Sequence, residues 1–234
     1  MAEFVLVAGA WLGAWAWDEV VPELRAAGHG VHPLTLSGLA EKRGTAPDAG
    51  QRTHVEDIVA EVERLDSRDV VLVGHSYSGI PVGQAAGRIG DRLARMVLVD
   101  SEVPVEGGSF ASGWWEGQAR FEAILAEGDG FWPPPAAGEF EGQGLTDEQV
   151  ARLVAGATPH PAASLTEPAA LSRPLADLPT TYIKCLLDGP EPNSDVAALL
   201  DGKRWRLVEM NTGHWPMFSE PRQLAAILGA ETAP

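Results

Sequence analysis

The sequence predicts an α/β fold, with a mostly parallel sheet, helices on both faces and a small helical lid. Near-continuous apolar runs such as FVLVA and VVLVG alternate with segments of helical apolar spacing, a pattern typical of parallel strands buried on both faces. The alternation stops once, in a stretch rich in glycine and proline that includes Pro133–Pro135. We therefore expect a core of residues 1–103 and 179–234, with residues 104–178 inserted as the lid.

The first part of the core reads as strands joined by helices. Gly28 ends the first predicted helix, and Thr53 with Glu56 has the spacing of a capping box that begins the second. The predicted strands before the lid span residues 3–8, 30–36, 69–74 and 94–100. The predicted helices in this part span residues 15–28, 53–65 and 80–90.

The lid and the second part of the core continue the chain. Inside the lid only two short helical patterns are visible, near residues 114–127 and 146–155, and no strand is evident. The alternation then resumes, which predicts that the sheet continues after the insertion. The elements predicted there are strands at 180–187 and 204–210, a short helix near 193–200 and a last helix from about Glu220.

Composition limits the class of protein. The 234 residues, 45% of them hydrophobic, suit one domain with a full core and argue against disorder. No apolar run approaches the length of a membrane span, and the N-terminal stretch lacks a basic region, so we expect neither membrane insertion nor a signal peptide. Cys185 is the only cysteine, so an intrachain disulfide is excluded and a cytoplasmic enzyme fits best. The oligomeric state stays open, with a homodimer as one option.

The charge pattern points to a small-molecule substrate. With 17 basic and 33 acidic residues the net charge is −16, which argues against nucleic acid as a partner, because phosphates need basic patches. Residues 101–150 hold ten acidic residues and one basic residue, Arg120. This stretch is either a solvated surface or a mouth that disfavours anionic substrates.

The stretch VLVGHSYSGI places Ser76 between a predicted strand and a predicted helix. It matches G-x-S-x-G, the turn that exposes a nucleophilic serine, except that Ser78 stands where glycine is expected. Small neighbours are needed at such a turn because strand and helix approach closely there, and serine is only slightly larger than alanine. We therefore expect Ser76 to be a nucleophile rather than a helix-capping serine.

Two further polar residues follow strands. The ends of parallel strands meet at one edge of the sheet, so Asp188 and His214 are expected near Ser76, in the chain order Ser, Asp, His. His214 would act as base and then acid, and Asp188 would orient it. Asp100 also ends a strand and is the alternative acid. The oxyanion hole is expected from the backbone N–H groups of Tyr77 and Ala10.

The substrate pocket is less defined by sequence. Glu102 lies two residues past a strand end and is either a solvent-facing carboxylate or a pocket carboxylate for a cationic or hydroxylated substrate. Tryptophans of the first loop and the lid either pack the core or line an apolar or aromatic-ring pocket. The candidate pocket residues are Glu102, Trp11, Trp115, Trp132, His160 and Trp215.

Four stretches, FVLVAGAWLGAWAWDEVVPEL, GHSYSG, YIKCLLD and GHWPMFSEPRQL, resemble the α/β-hydrolase superfamily. They are most similar to the branch of plant hydroxynitrile lyases and plant methyl-ester esterases with its bacterial relatives. The resemblance covers nearly the whole chain outside the lid. It implies the α/β-hydrolase fold, a Ser-His-Asp triad with Asp188 as the acid, and no metal or organic cofactor.

Three positions depart from that branch. Ala8 stands where a histidine usually organises the first loop, and Ser78 replaces the glycine of the serine turn. Trp215 stands where the lyases carry a lysine that helps to accommodate cyanide. The sequence therefore favours a hydrolase for a carboxylic ester with an apolar or aromatic part. The alternatives are a lyase, decarboxylase or cyclase on the same fold, and a non-catalytic ligand-binding protein.

Overall fold

The computed structural model describes residues 1–232. Its main sheet has six strands, all parallel, in the order β2-β1-β3-β4-β7-β8. The six strands are β1 (Glu3–Val7), β2 (Gly30–Leu34), β3 (Val70–His75), β4 (Leu93–Val99), β7 (Thr180–Cys185) and β8 (Trp205–Met210). The α/β class predicted from the alternating apolar runs is confirmed.

Helices cover both faces of this sheet. Alternate side chains of β1 enter opposite cores. Val5 and Val7 pack on the side of the helices at Gln51–Leu65 and Gly79–Ile89, whereas Phe4 and Leu6 pack on the side of the helices at Val20–Ala26 and Pro221–Ala230. Each fully buried side chain of this size contributes roughly 1.5–3 kcal/mol of transfer free energy. The helices are α1 (Val20–Ala26), α2 (Gln51–Leu65), α3 (Gly79–Ile89), α4 (Gln118–Glu127), α5 (Asp147–Gly156), α6 (Ala162–Thr166), α7 (Ser194–Leu200), α8 (Pro216–Ser219) and α9 (Pro221–Ala230).

Two predicted helix starts are wrong. The first predicted helix splits into a 3₁₀ turn, Ala14–Trp17, and the shorter α1. The second begins at Gln51, so Thr53 lies inside its first turn and its hydroxyl accepts a hydrogen bond from Gly50 N–H at 3.3 Å. Glu56 does not complete a capping box with Thr53, because its carboxylate pairs with Arg88 at 2.6 Å.

Residues 104–178 contain a small two-stranded antiparallel sheet that the sequence did not predict. Strands β5 (Phe131–Trp132) and β6 (His160–Pro161) pair antiparallel, and two residues are too few for a periodic pattern to be visible. Helices α4 and α5 lie where the two helical patterns were expected. The division into core and lid stays a prediction. Among residues 1–232, no helix combines the length and the apolar character needed to cross a bilayer.

Candidate active site

Ser76 lies at the junction of β3 and α3, in a 3₁₀ turn with a left-handed backbone. Its φ is +55°, a conformation that costs a non-glycine residue energy and is concentrated at functional sites. The first loop passes directly over this turn. A Cβ atom on Gly9 would lie 2.7 Å from the Ser76 Cβ and 2.9 Å from His75 Nδ1, so only glycine fits there. The site is thus built by close backbone approach.

Ser78, the departure from the serine-turn motif, contributes hydrogen bonds. Its hydroxyl accepts from His75 N–H at 2.8 Å and lies 2.9 Å from the carbonyl oxygens of Val7 and His75. The close approach that demands glycine occurs one residue later, at Gly79, where a Cβ would collide with the carbonyl oxygen of Glu102. Serine at position 78 therefore ties the turn to β1.

Two buried imidazoles hold the first loop. Gly9 N–H donates to His75 Nδ1 and Trp11 N–H donates to His160 Nδ1, both at 3.3 Å. Burial lowers the pKa of both histidines well below 6.5, so each ring is neutral and Nδ1 can accept. Between these two anchored amides, the Ala10 N–H donates no hydrogen bond to any of residues 1–232. Ala8 has no side-chain group that could accept a hydrogen bond from the first loop. His75 and His160 hold that loop instead, through the amides of Gly9 and Trp11.

His214 faces two carboxylates rather than one. Its Nδ1 lies 2.7 Å from Asp100 Oδ2 and 3.4 Å from Asp188 Oδ2. The Asp100 side chain is 2% exposed and its backbone has φ +41°, whereas the Asp188 side chain is 41% exposed. Asp188 was the acid expected from sequence, and the structure brings Asp100, the alternative, closer to the ring.

The charges of this cluster reinforce one another. Burial opposes the charge on His214, but the hydrogen bonds with Asp100 and Asp188 outweigh it and raise the pKa of His214 to about 9. Burial alone would raise the pKa of Asp188, but the contact with His214 lowers it to about 2. At neutral pH the imidazolium form of His214 is therefore favoured.

Two residues that the sequence analysis did not single out complete the cluster. Lys184 Nζ lies 2.6 Å from Asp100 Oδ1 and 3.2 Å from the carbonyl oxygen of Asp188. Gln143 accepts from His214 N–H at 2.6 Å and donates to Asp188 Oδ1 at 3.2 Å. A lysine in the buried strand β7 is unusual, so the sequence offered a signal for Lys184. The sequence around Gln143 offered no signal that this residue belongs to the site.

The same cluster contains residue types that can bind a metal ion, but its geometry is that of a hydrogen-bonded ion-pair network. Asp100, Asp188 and His214 each offer one donor atom, all within 4.8 Å of one another. The Nδ1–Oδ2 separation of 2.7 Å, however, is that of a direct hydrogen bond, and the Lys184 ammonium already supplies a positive charge at Asp100. The arrangement fits proton transfer rather than metal binding.

An aromatic cavity of about 280 Å³ lies beside the serine turn. Glu102 and Trp115 line it, together with Phe110, Trp114 and Asp195. Glu102 N–H donates to the Ser76 carbonyl oxygen at 3.3 Å, which joins the cavity wall to the turn. Neither Ser76 nor His214 is among the lining residues.

The other candidate pocket residues lie outside this lining. Trp11 and Trp132 pack against each other with ring centroids 4.1 Å apart. Trp215 packs between Phe140 and the His214 ring, at 4.7 and 5.0 Å. His160 is fully buried and its Nε2 faces Ser164 Oγ at 2.8 Å, so it supports the first loop and is not a cavity wall.

The chain matches a known family over almost its full length. The sequence pattern of the Alpha/beta hydrolase family covers residues 4–227. The chain belongs to the α/β-hydrolase family. Both the fold and the resemblance predicted from sequence are confirmed, and the chain is a hydrolytic enzyme.

Named relatives of this α/β-hydrolase are mostly esterases. It is 32% identical to the carbendazim-hydrolysing esterase of Nocardioides sp. (strain SG-4G), covering 98% of this chain and 99% of that protein. Methylesterase 8 of Arabidopsis thaliana is 36% identical over 43% of this chain and 38% of its own. An extracellular alpha/beta-hydrolase from a Paenibacillus species has the same fold, with a TM-score of 0.84, 24% identity and 99% of both chains covered.

Proposed function

We propose that this α/β-hydrolase cleaves neutral carboxylic esters that carry an apolar or aromatic part, with Ser76 as nucleophile and His214 as base. The observation that carries the proposal is the left-handed backbone of Ser76 at the β3–α3 junction, next to His75, whose ring hydrogen-bonds to the backbone of the carboxylate-bound His214 at 2.7 Å. The esterase names of the relatives support ester hydrolysis as the reaction.

In the proposed mechanism, Ser76 Oγ attacks the ester carbonyl carbon and its proton passes to His214 Nε2. The carbonyl oxygen becomes an oxyanion that the N–H groups of Ala10 and Tyr77 would hold. His214 then returns the proton to the leaving alcohol, and water hydrolyses the acyl-enzyme by the same steps. The Ala10 amide lies between two anchored neighbours and donates to none of the residues from 1 to 232, which supports its part in this hole.

We propose that the acid function is shared. Asp100, at 2.7 Å from Nδ1, orients the ring, and Asp188, at 3.4 Å, adds a second contact from the solvent side. The buried position of Asp100 supports its larger part, because a buried hydrogen bond to a charged group is stronger than an exposed one.

The cavity supports a neutral substrate with an aromatic or apolar part. Phe110, Trp114 and Trp115 provide ring surfaces, while Glu102 and Asp195 would repel a carboxylate. Partial burial raises the pKa of Glu102, with Asp195 and Asp100 adding to the rise and His214 opposing it. A cyanohydrin lyase is disfavoured, since Trp215 offers no positive charge for departing cyanide.

A paired assay tests the proposal. Aryl acetate hydrolysis and mandelonitrile cleavage are measured on wild type, on Ser76→Ala and on the control Ser172→Ala, which changes an exposed serine. We expect ester hydrolysis in wild type and the control, a loss on the order of 10⁶ in kcat for Ser76→Ala, and covalent trapping of Ser76 by a serine-reactive phosphonate. Ser76-dependent cyanide release without ester hydrolysis would favour the lyase alternative, and failure of both trapping and turnover would favour a binding protein.

A further inference from the structure

Lys184 is buried at the centre of the acid cluster. It lies in β7, its side chain is 6% exposed, and its ammonium touches Asp100 Oδ1 at 2.6 Å and the Asp188 carbonyl oxygen at 3.2 Å. Placing a charged amine inside a strand is unfavourable unless the charge is paired and hydrogen-bonded. An apolar residue would pack there at lower cost, so the position of this lysine calls for a reason.

The reason lies in the number of carboxylates around His214. A Ser-His-Asp triad needs one acid at Nδ1, and this site has two, Asp100 and Asp188. Two unopposed carboxylates would repel each other and hold the imidazolium so firmly that the neutral base became scarce. The other titratable groups that face His214 are His75, 4.9 Å away between ring centroids, and Glu102. Neither of them brings a fixed positive charge.

We propose that Lys184 is a positioning residue for the hydrolytic reaction, whose ammonium offsets Asp100 so that two carboxylates present to His214 the net charge of one. The inference rests on the proposed function. The two oxygens of Asp100 have different partners. Oδ2 binds the ring of His214, while Oδ1 accepts hydrogen bonds from Lys184 Nζ and, at 3.2 Å, from Cys185 N–H. Lys184 thereby also fixes the rotation of the carboxylate that orients the ring.

A merely structural ion pair makes a different prediction. It would affect folding stability but would leave the protonation of His214 almost unchanged. The position of the acid limb of the kcat/KM–pH profile, together with the NMR titration of the His214 ring, separates the two. The NMR titration needs no turnover, so it tests the role of Lys184 even if the ester substrate is wrong, whereas the Ser76→Ala assay tests the proposed function alone.

The experiment compares Lys184→Met, Lys184→Arg, Asp100→Asn and the double variant Lys184→Met/Asp100→Asn with wild type. Lys203→Met, at an exposed lysine, is the control. We expect the acid limb and the His214 titration to move up by about one pH unit or more in Lys184→Met, because a compensating charge is lost. Asp100→Asn should move both down, and the double variant should return both to within about 0.3 of wild type, as should Lys184→Arg and the control.

The double variant keeps the test decisive if Lys184→Met does not fold. It leaves no buried unpaired charge, so it is expected to fold, and its comparison with Asp100→Asn isolates the effect of Lys184. Equal titration of His214 in these two proteins, or a folded Lys184→Met protein that titrates as wild type does, would overturn the proposal.

Discussion

His75 Nε2 donates a hydrogen bond to the backbone carbonyl oxygen of His214 at 2.7 Å, while its Nδ1 accepts from Gly9 N–H at 3.3 Å. One neutral ring therefore joins the first loop, the serine turn and the loop that carries His214. These three segments lie far apart in the chain, and their relative positions decide whether the reacting groups align.

We expect His75→Ala to lower kcat by about 10²-fold, because a displacement of the order of 1 Å in reacting groups has this cost. The KM should change less, since the cavity walls are not formed by His75. Steady-state kinetics on His75→Ala and, as control, on His29→Ala, a half-buried histidine at the opposite end of β1, measure the difference. An unchanged kcat in folded His75→Ala would show that the three segments align without the ring.

The two carboxylates at His214 predict unequal, partial losses. Replacement of a single orienting acid by asparagine costs about 10⁴ in kcat in a one-acid triad. Here we expect less than that from either variant alone, a larger loss for Asp100→Asn than for Asp188→Asn, and the full loss only when both are replaced. A near-normal Asp100→Asn beside a severely impaired Asp188→Asn would return the orienting role to Asp188, as the sequence predicts.

The pH dependence of activity follows from the pKa of His214. The base must be neutral to accept the serine proton, and burial of the ring is outweighed by its hydrogen bonds with Asp100 and Asp188, which raise the pKa to about 9. We expect kcat/KM for an aryl acetate to rise through neutral pH, to reach half of its maximum near pH 9 and to level off only above that pH. A plateau reached by pH 7 would contradict the charge balance described for this site.

Folding stability should peak near pH 6.5. Burial lowers the pKa of His54, His75 and His160, so the unfolded chain takes up more protons below 6.5 and stability falls as the pH falls. His214 has the opposite shift: its stabilising contribution is present below 6.5 and is lost as the pH rises towards 9. Melting temperatures between pH 4.5 and 9.5 measure both slopes, and His160→Asn should flatten the acidic one. A flat profile below 6.5 would mean that these rings are not held neutral.

Charge at the cavity should discriminate between substrates. Glu102 and Asp195 line it, and no basic side chain does so among the residues described. We expect aryl esters with a free carboxylate in the acyl part to be cleaved at least tenfold less efficiently than matched neutral esters, a difference of about 1.4 kcal/mol. Glu102→Gln should reduce that ratio and leave neutral esters nearly unaffected. If the ratio does not change, Glu102 does not face the substrate.

The fold was predictable because several parallel strands contain near-continuous apolar runs, as in β1, β3 and the second half of β4, and such runs are recognised without knowledge of distant contacts. Helix starts were less predictable. The threonine at position 53 has the right spacing for a cap, yet the helix begins at Gln51 because Gly50 takes the cap position. Local spacing allowed both starts, and the contact of Glu56 with Arg88 on α3 is not visible locally.

In the candidate site, the serine turn was predictable because its signal is local. The orienting acid was not, because Asp100 and Asp188 follow the neighbouring strands β4 and β7, so the order of strands alone does not decide which carboxylate lies closer to His214. The roles of His75 and His160 depend on amides 66 and 149 residues away, respectively. Lys184 could be recognised in the sequence as a charged residue in a predicted buried strand. Its proposed role could not, because that role depends on the positions of both carboxylates, Asp100 and Asp188, around His214.

The contact between His160 and Trp11 bears on how this enzyme can diversify. His160 belongs to residues 104–178, the predicted lid, and the amide that it anchors belongs to the loop after β1. Wholesale exchange of the segment between lineages would remove that anchor unless the incoming piece brought its own acceptor. Point substitutions around Trp114 and Trp115 would leave the hydrogen bond between Trp11 and His160 in place, and Trp115 is 78% exposed. If the cavity binds the substrate as proposed, we expect substrate range to change more readily through substitutions at the cavity rim than through replacement of residues 104–178 as a whole.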